Sequence, residues 1–205
     1  MTTQPTPKSF AIDQKIAPLA NQYYVYELNE AGGKGQLLAF AHQKRFAFKE
    51  KFTFYTDESK QQVAFEVQAR KVLDFGARYD VRDAQGEVLG VLGKAFGASF
   101  LRSTWHIFDP NDETTPQVVV RERSQALAIV RRLWEFIPIV GEIPFFIKYH
   151  FEFIDPTTQA VHGGYEKVTT LRDHYRLNAD AELLGKAQWR VLVSLGIMMD
   201  ALQGR

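Results

Sequence analysis

The chain contains no cysteine, which removes disulfides, thiolate metal sites and cysteine nucleophiles at once. It also lacks an excess of one charge. Its 25 Lys and Arg against 24 Asp and Glu leave a formal net charge of +1, so no global field draws it to nucleic acid or to an anionic membrane. Any such contact must come from a local patch. The opening segment, MTTQPTPKSFAIDQKIAPLA, has no basic stretch leading into an apolar one; a secretory signal is not expected, and the cytoplasm is the default compartment. A long uncharged run is missing too. The most apolar stretch, Val191 to Met199, is bracketed by Arg190 and Asp200 and falls short of the ~20 residues that a membrane-spanning helix needs.

Catalytic signatures are equally scarce. There is no G-x-S-x-G nucleophile elbow and no H-E-x-x-H zinc helix. Ala31 to Gly35, AGGKG, lacks the full spacing of a phosphate loop and the hydroxyl residue after its lysine, and reads as a hairpin loop. The histidines His42, His106, His150, His162 and His174 fall on separate segments. The last three come one per successive strand and could converge, since neighbouring strands lie ~4.8 Å apart; hydrogen-bonded or surface imidazoles are the simpler reading. No catalytic residue, metal ligand or cofactor is assigned.

What is present points to strands. Of 205 residues, 45% are hydrophobic and 16 are Phe, enough for one sizeable core with a β bias. Residues 1–22, with Pro5, Pro7 and Pro18 among polar side chains, read as a flexible arm, and 23–205 as a single domain. From Tyr23 on, apolar and polar residues alternate at period two, as in Val63, Phe65, Val67 and Ala69 against Ala64, Glu66, Gln68 and Arg70. About twelve strands follow, beginning with Tyr23 to Leu28 and Gln36 to Phe40, including a separate Arg45 to Lys49, and ending with Asp173 to Asn178.

A repeat organises them. RYDVRDAQGEVLGVLGKAFGASFLRSTWHIFD (Arg78 to Asp109) and YHFEFIDPTTQAVHGGYEKVTTLRDHYRLNAD (Tyr149 to Asp180) share the order strand, Asp turn, strand with Gly and Lys, loop with Arg, aromatic strand, Asp. The strand-ending aspartates Asp57, Asp83, Asp109, Asp155 and Asp180 step by 26, 26, 46 and 25 residues, as a meander of one repeated hairpin unit would. Asp suits each position because its carboxylate accepts from the backbone of the turn that follows. The long step carries an insertion of about 20 residues, SQALAIVRRLWEFIPIVGEIPFFI within 123–147, in which Ser124 could cap a helix that Pro138, Gly141 and Pro144 end.

Near the C-terminus, about 183–202, a helix is apolar on every side and has to be surrounded. Twelve antiparallel strands need closure to remove their edges, and a barrel wider than ~8 strands needs filling that side chains alone cannot supply. A helix ~10 Å across provides it. The expected fold is therefore mainly β, a closed antiparallel barrel of about 12 strands around a central hydrophobic C-terminal helix, with one helical insertion. Gly185 and Gly196 would mark close approach of the wall.

This order resembles the Tubby C-terminal-like superfamily, in its LURP-one-related and phospholipid scramblase branches. The resemblance rests on the D-x-x-G-x-x-x-G turn of Asp83, Gly86 and Gly90, on Lys94, on Trp105 with Asp109, and on the helix ending Met198, Met199, Asp200. It covers about Tyr23 to Leu202. It implies a barrel around a hydrophobic helix and no shared catalytic residues. Tubby proteins bind phosphoinositides, scramblases are associated with lipid movement and calcium, and LURP-one proteins are linked to plant defence. The cysteine cluster and proline-rich arm of scramblases are absent here, and Asp180 reads as a helix N-cap in preference to a calcium ligand.

Two basic, aromatic stretches are candidates for anionic contact. In HQKRFAFKEKF, Lys44, Arg45, Lys49 and Lys51 surround Phe46, Phe48 and Phe52. In the insertion, Arg123, Arg131 and Arg132 precede or accompany Trp134, Phe136, Phe145 and Phe146, the composition of an interfacial anchor. The insertion would either fold over a barrel mouth as a lid or present a binding surface. The expected partner is an anionic phospholipid at a membrane periphery or, alternatively, a protein; nucleic acid and a transmembrane span are not expected.

Overall fold

The computed structural model describes residues 6–17, 20–44, 51–70, 78–95, 104–123, 150–168 and 174–203. Twelve antiparallel strands form a closed barrel: β1 (Lys8–Ala17), β2 (Ala20–Leu28), β3 (Lys34–Lys44), β4 (Lys51–Tyr55), β5 (Val63–Ala69), β6 (Arg78–Asp83), β7 (Val88–Lys94), β8 (Thr104–Phe108), β9 (Val118–Glu122), β10 (His150–Ile154), β11 (Val161–Lys167) and β12 (His174–Ala179). Each strand pairs with its sequence neighbours, and β1 meets β12 to close the ring. Two helices follow, α1 (Ala181–Lys186) and α2 (Trp189–Gln203).

The expected barrel is present, but its strand set differs from the one read in the sequence. Residues 1–22 were expected as a flexible arm, whereas Lys8–Ala17 is the closing strand, registered on β12 from Lys8↔Ala179 to Asp13↔His174 and on β2 from Phe10↔Glu27 to Ala17↔Ala20. Phe10 and Ile12 alternate inward and are fully buried. Two inward apolar residues among polar neighbours and prolines are a faint signal; the two unpaired edges of β2 and β12 decide the matter, because a closed ring leaves no edge unsatisfied. The expected Arg45 to Lys49 strand lies outside the described residues, as does all of the insertion after Arg123.

Alternation fills the barrel from its wall. Phe54 and Phe65 stack at 4.1 Å, Tyr165 and Tyr175 at 5.3 Å, and both pairs belong to one cluster with Val191, Leu192, Leu195, Ile197 and Met199 of α2. The helix is buried on every side from Val191 to Met199, so the plug and the ring each supply the apolar surroundings that the other requires. The expected single helix is broken. Ala187 adopts an extended conformation (φ −140, ψ 125) while its N–H still bonds the Leu183 carbonyl, and the Gln188 carbonyl accepts from Val191 and Leu192 to begin α2. The break lets α1 pack on β11 and β12 before the chain turns into the barrel.

Two glycines of the sequence patterns have physical reasons. Gly86 has φ +91 in the β6–β7 turn, a conformation that side chains disfavour. At Gly196 a Cβ would stand 2.7 Å from the Tyr165 ring, so only glycine lets α2 approach β11. Gly185 has no neighbour within 4 Å of such a Cβ, and its expected role as a wall contact is not met.

Candidate functional site

The antiparallel meander sends alternate connections to opposite ends of the barrel, and the two ends differ chemically. At one rim lie the β2–β3, β4–β5, β6–β7, β8–β9 and β10–β11 turns and the entry to α1. The repeated aspartates are all here, and each does what its position predicts. Asp57 accepts from the Ser59 N–H at 2.8 Å, Asp83 from Gln85 and Glu87 at 2.9 Å, Asp109 from Asn111 at 2.8 Å, and Asp155 from Thr157 and Thr158 at 2.7 Å. Asp180 caps α1 by accepting from the Leu183 N–H at 2.8 Å. Apart from Asp83, at the end of β6, this rim carries Glu30, Asp57, Glu58, Glu87, Asp109, Asp112, Glu113, Asp155, Asp180 and Glu182, against Lys60 and Lys186 as its only cations between residues 29–33, 56–62, 84–87, 109–117, 155–160 and 180–188.

Hydrogen bonds hold several of these carboxyls below the usual range. Asp57 is lowered by the Ser59 side chain and backbone, and Asp112 by Thr114. The Lys186 ammonium, with the Thr158 and Thr157 N–H groups, puts Asp155 well below it. At Asp180 burial pushes upward, but the Leu183 N–H and the His162 ring outweigh it.

The opposite rim is made of the other connections. The strand ends Lys44, Lys51, Arg78, Lys94 and Lys167 border it, with Glu122 at the end of β9, and the connecting segments 45–50, 71–77, 96–103, 124–149 and 169–173 carry eight cations (Arg45, Lys49, Lys71, Arg102, Arg131, Arg132, Lys148, Arg172) against five acids (Glu50, Asp74, Glu135, Glu142, Asp173). Eight of the protein's 16 Phe are in these segments. In a chain of net charge +1, the connections that leave one rim are thus acidic in sequence and those that leave the other are basic and aromatic. Helix α2 runs from the first to the second. Trp189 stacks on Phe10 at 5.9 Å and meets Phe65 edge-on at 5.7 Å. Asp200 accepts from the hydroxyls of Tyr175 and of Tyr23, the latter at 3.0 Å. The sequence pattern singled out Asp200 but not its partners, which lie 177 and 25 residues away.

Of the residues singled out in the sequence, Lys51 is exposed at the start of β4 and pairs with Glu66 at 2.7 Å. Phe52 beside it is buried, as the strand alternation predicted. Arg123, 65% exposed just past β9, lies 3.4 Å from Glu152. Lys44 ends β3, but its side chain is outside the described residues, as are Arg45, Lys49, Arg131, Arg132, Trp134, Phe136, Phe145 and Phe146. Near Lys51, β3 and β4 pair only at Phe40↔Tyr55 and Ala41↔Phe54. Beyond that register a groove of about 290 Å³ opens, bordered by His42, Gln43, Lys51, Thr53, Tyr55 and Lys60; the sequence had no sign of it.

The three histidines that could have converged do not. His150 lies 3.7 Å from Glu166, His162 bonds Asp180 at 2.8 Å, and His174 bonds Asp13 at 2.7 Å. Sequence reading missed the cluster around His162, where Lys186 bonds Asp155 and, at 2.8 Å, Glu182. Its members come from three separate elements, so no spacing announces it.

A twelve-strand antiparallel ring closed around a C-terminal helix, with its turn aspartates at one rim, defines a barrel of the Tubby-like superfamily. Within it, the chain belongs to the LURP-one-related family, whose family model matches residues 38–199. That family is generally non-enzymatic. No curated protein matches the chain. No helix among the described residues is long and apolar enough to cross a membrane.

Proposed function

We propose that this barrel is a non-enzymatic module that docks, basic rim first, on an anionic phospholipid surface at the cytoplasmic face of a membrane. The contact is made by the Arg123 to Ile147 insertion with Arg131, Arg132, Trp134, Phe136, Phe145 and Phe146, and by the Lys44 to Lys51 connection with Arg45 and Lys49. The observation that carries this reading is topological. The β3–β4 and β9–β10 connections join strand ends of the same rim, half the ring of twelve apart. Two basic, aromatic segments tethered to strand ends on opposite sides of one mouth can meet a plane together, and the turn carboxylates stand at the far end. Interfacial anchoring combines these ingredients, cations for the anionic headgroups and Trp or Phe for the acyl boundary. The packed interior argues against a ligand carried inside the barrel.

Liposome flotation of the intact protein, with and without phosphoinositide and at low and moderate salt, tests the proposal. Flotation that grows with anionic lipid and falls with salt is expected. Absence of flotation under every condition refutes it. A dimer in sedimentation that dissociates on Trp134→Asp would move the same surface to a protein partner.

A further inference from the structure

We infer that Asp155, His162 and Glu182 form a binding site for one divalent transition-metal ion of the zinc class at the acidic rim, independent of the lipid-docking surface. Asp155 follows β10, His162 is the second residue of β11, and Glu182 lies in the first turn of α1. One ligand atom from each converges within 4.8 Å of the others.

The imidazole singles this cluster out from the other carboxylates of the rim. The His162 side chain is 13% exposed, its Nδ1 lies 2.8 Å from the Asp180 carboxylate, and its Nε2 lies 3.4 Å from Glu182 Oε1. That Nε2 is buried and has no hydrogen-bond partner. An ionised carboxylate only accepts, so Nδ1 carries the proton given to Asp180. In the neutral ring, Nε2 then presents a lone pair to the lone pairs of Glu182. A buried acceptor 3.4 Å from a half-exposed carboxylate is unfavourable until a cation stands between them. A carboxylate on the far nitrogen is also what orients a metal-binding imidazole.

The remaining donors fit. Asp155 spends Oδ1 on the Thr157 and Thr158 N–H groups at 2.7 Å and keeps Oδ2 for the site. Lys186 bonds that Oδ2 and Glu182 Oε1, so its ammonium stands in for the ion and competes with it. Its side chain is 28% exposed, and its flexible stem can release to solvent. One imidazole nitrogen with two carboxylate oxygens suits a zinc-class ion; calcium, which takes six to eight oxygens, finds too few.

The test is titration of the metal-stripped full chain with Zn²⁺ by calorimetry and with Co²⁺ by visible absorbance. One ion per chain is expected, with a rise in the melting temperature. His162→Gln should weaken binding by about 100-fold and Asp180→Asn by about 10-fold, while Lys186→Met should tighten it by removing the competing cation. Circular dichroism checks that each variant is folded, and Lys186→Met keeps the test decisive should His162→Gln fail to fold. The inference is overturned by no binding to either the wild type or Lys186→Met. Binding that His162→Gln leaves unchanged, or calcium binding in place of zinc, overturns it as well.

Discussion

The two rims of this barrel are built from the same strands yet solve different problems. At the acidic rim the connections are short, and an Asp carboxylate, or in the β2–β3 turn the Asn29 amide oxygen, accepts from backbone N–H groups that follow, so the turn is held by atoms two to four residues apart. At the basic rim the connections are more varied in length, the longest spanning residues 123–149 between β9 and β10, and in sequence they hold more cations than acids and half of the phenylalanines. Local side-chain bonds stabilise the acidic end, and connections on a rigid scaffold are where proteins concentrate recognition.

The comparison can be broken most severely through the helix that joins the rims. Leu195 is fully buried, and Leu195→Asp places an unpaired charge in the middle of the plug, a class of change that costs more than about 4 kcal/mol. The expected result is loss of the cooperative thermal transition of the whole domain; a soluble variant that still unfolds cooperatively would refute the central-helix account.

Charge reversal tests the division of labour directly. Changing Arg123, Arg131 and Arg132 to Glu removes about 1 kcal/mol of membrane attraction per cation, so vesicle partitioning should fall at least about 100-fold. Changing Glu30 and Glu87 to Lys at the acidic rim should leave it within about twofold, because a strand of five residues is ~17 Å long and the screening length in physiological salt is ~8 Å. Equal effects at both rims would abolish the proposed polarity.

Stability variants sharpen the contrast further. Removing the Tyr23 and Tyr175 hydroxyls that donate to Asp200, by Tyr23→Phe with Tyr175→Phe, should cost about 1–3 kcal/mol in urea unfolding, since two hydrogen bonds at the barrel exit are lost. At the acidic end, Asp180→Ala removes the α1 cap and should cost about 1 kcal/mol. The smallest effect is expected from Asp57. Its carboxyl is lowered by hydrogen bonds from Ser59, so the folded state binds its proton less readily than the unfolded chain. The stabilisation is therefore fully present above the ordinary carboxylate pKa of about 4 and is lost as pH falls through the depressed folded value. Asp57→Asn should lower the melting temperature slightly at pH 7 and leave it unchanged at strongly acid pH.

Legibility followed the range of the interactions. The Asp turns, the D-x-x-G of Asp83 and Gly86, and the period-two faces of Phe52, Phe65, Val67, Phe151 and Phe153 were readable because each depends on residues a few positions apart. The twelve-strand count came out right with a different membership, since β1 closes the ring only by pairing with β12, whose partner residues stand more than 160 positions away. The candidate contact residues could be picked by composition, but that the strands flanking both stretches end at one rim follows only from the strand order.

The amino-acid sequence by itself determined that this protein is a hairpin meander around an apolar helix, because alternation, turn carboxylates and an all-apolar helix state their needs locally. Tertiary structure alone decided that the first strand closes the ring, that the helix breaks at Ala187, that Asp200 is held by Tyr23 and Tyr175, and that His162 faces Asp155 and Glu182. Each of these is a contact between chain positions whose separation carries no periodic signal. Ring closure brings them together, and only then do their charges and lone pairs interact.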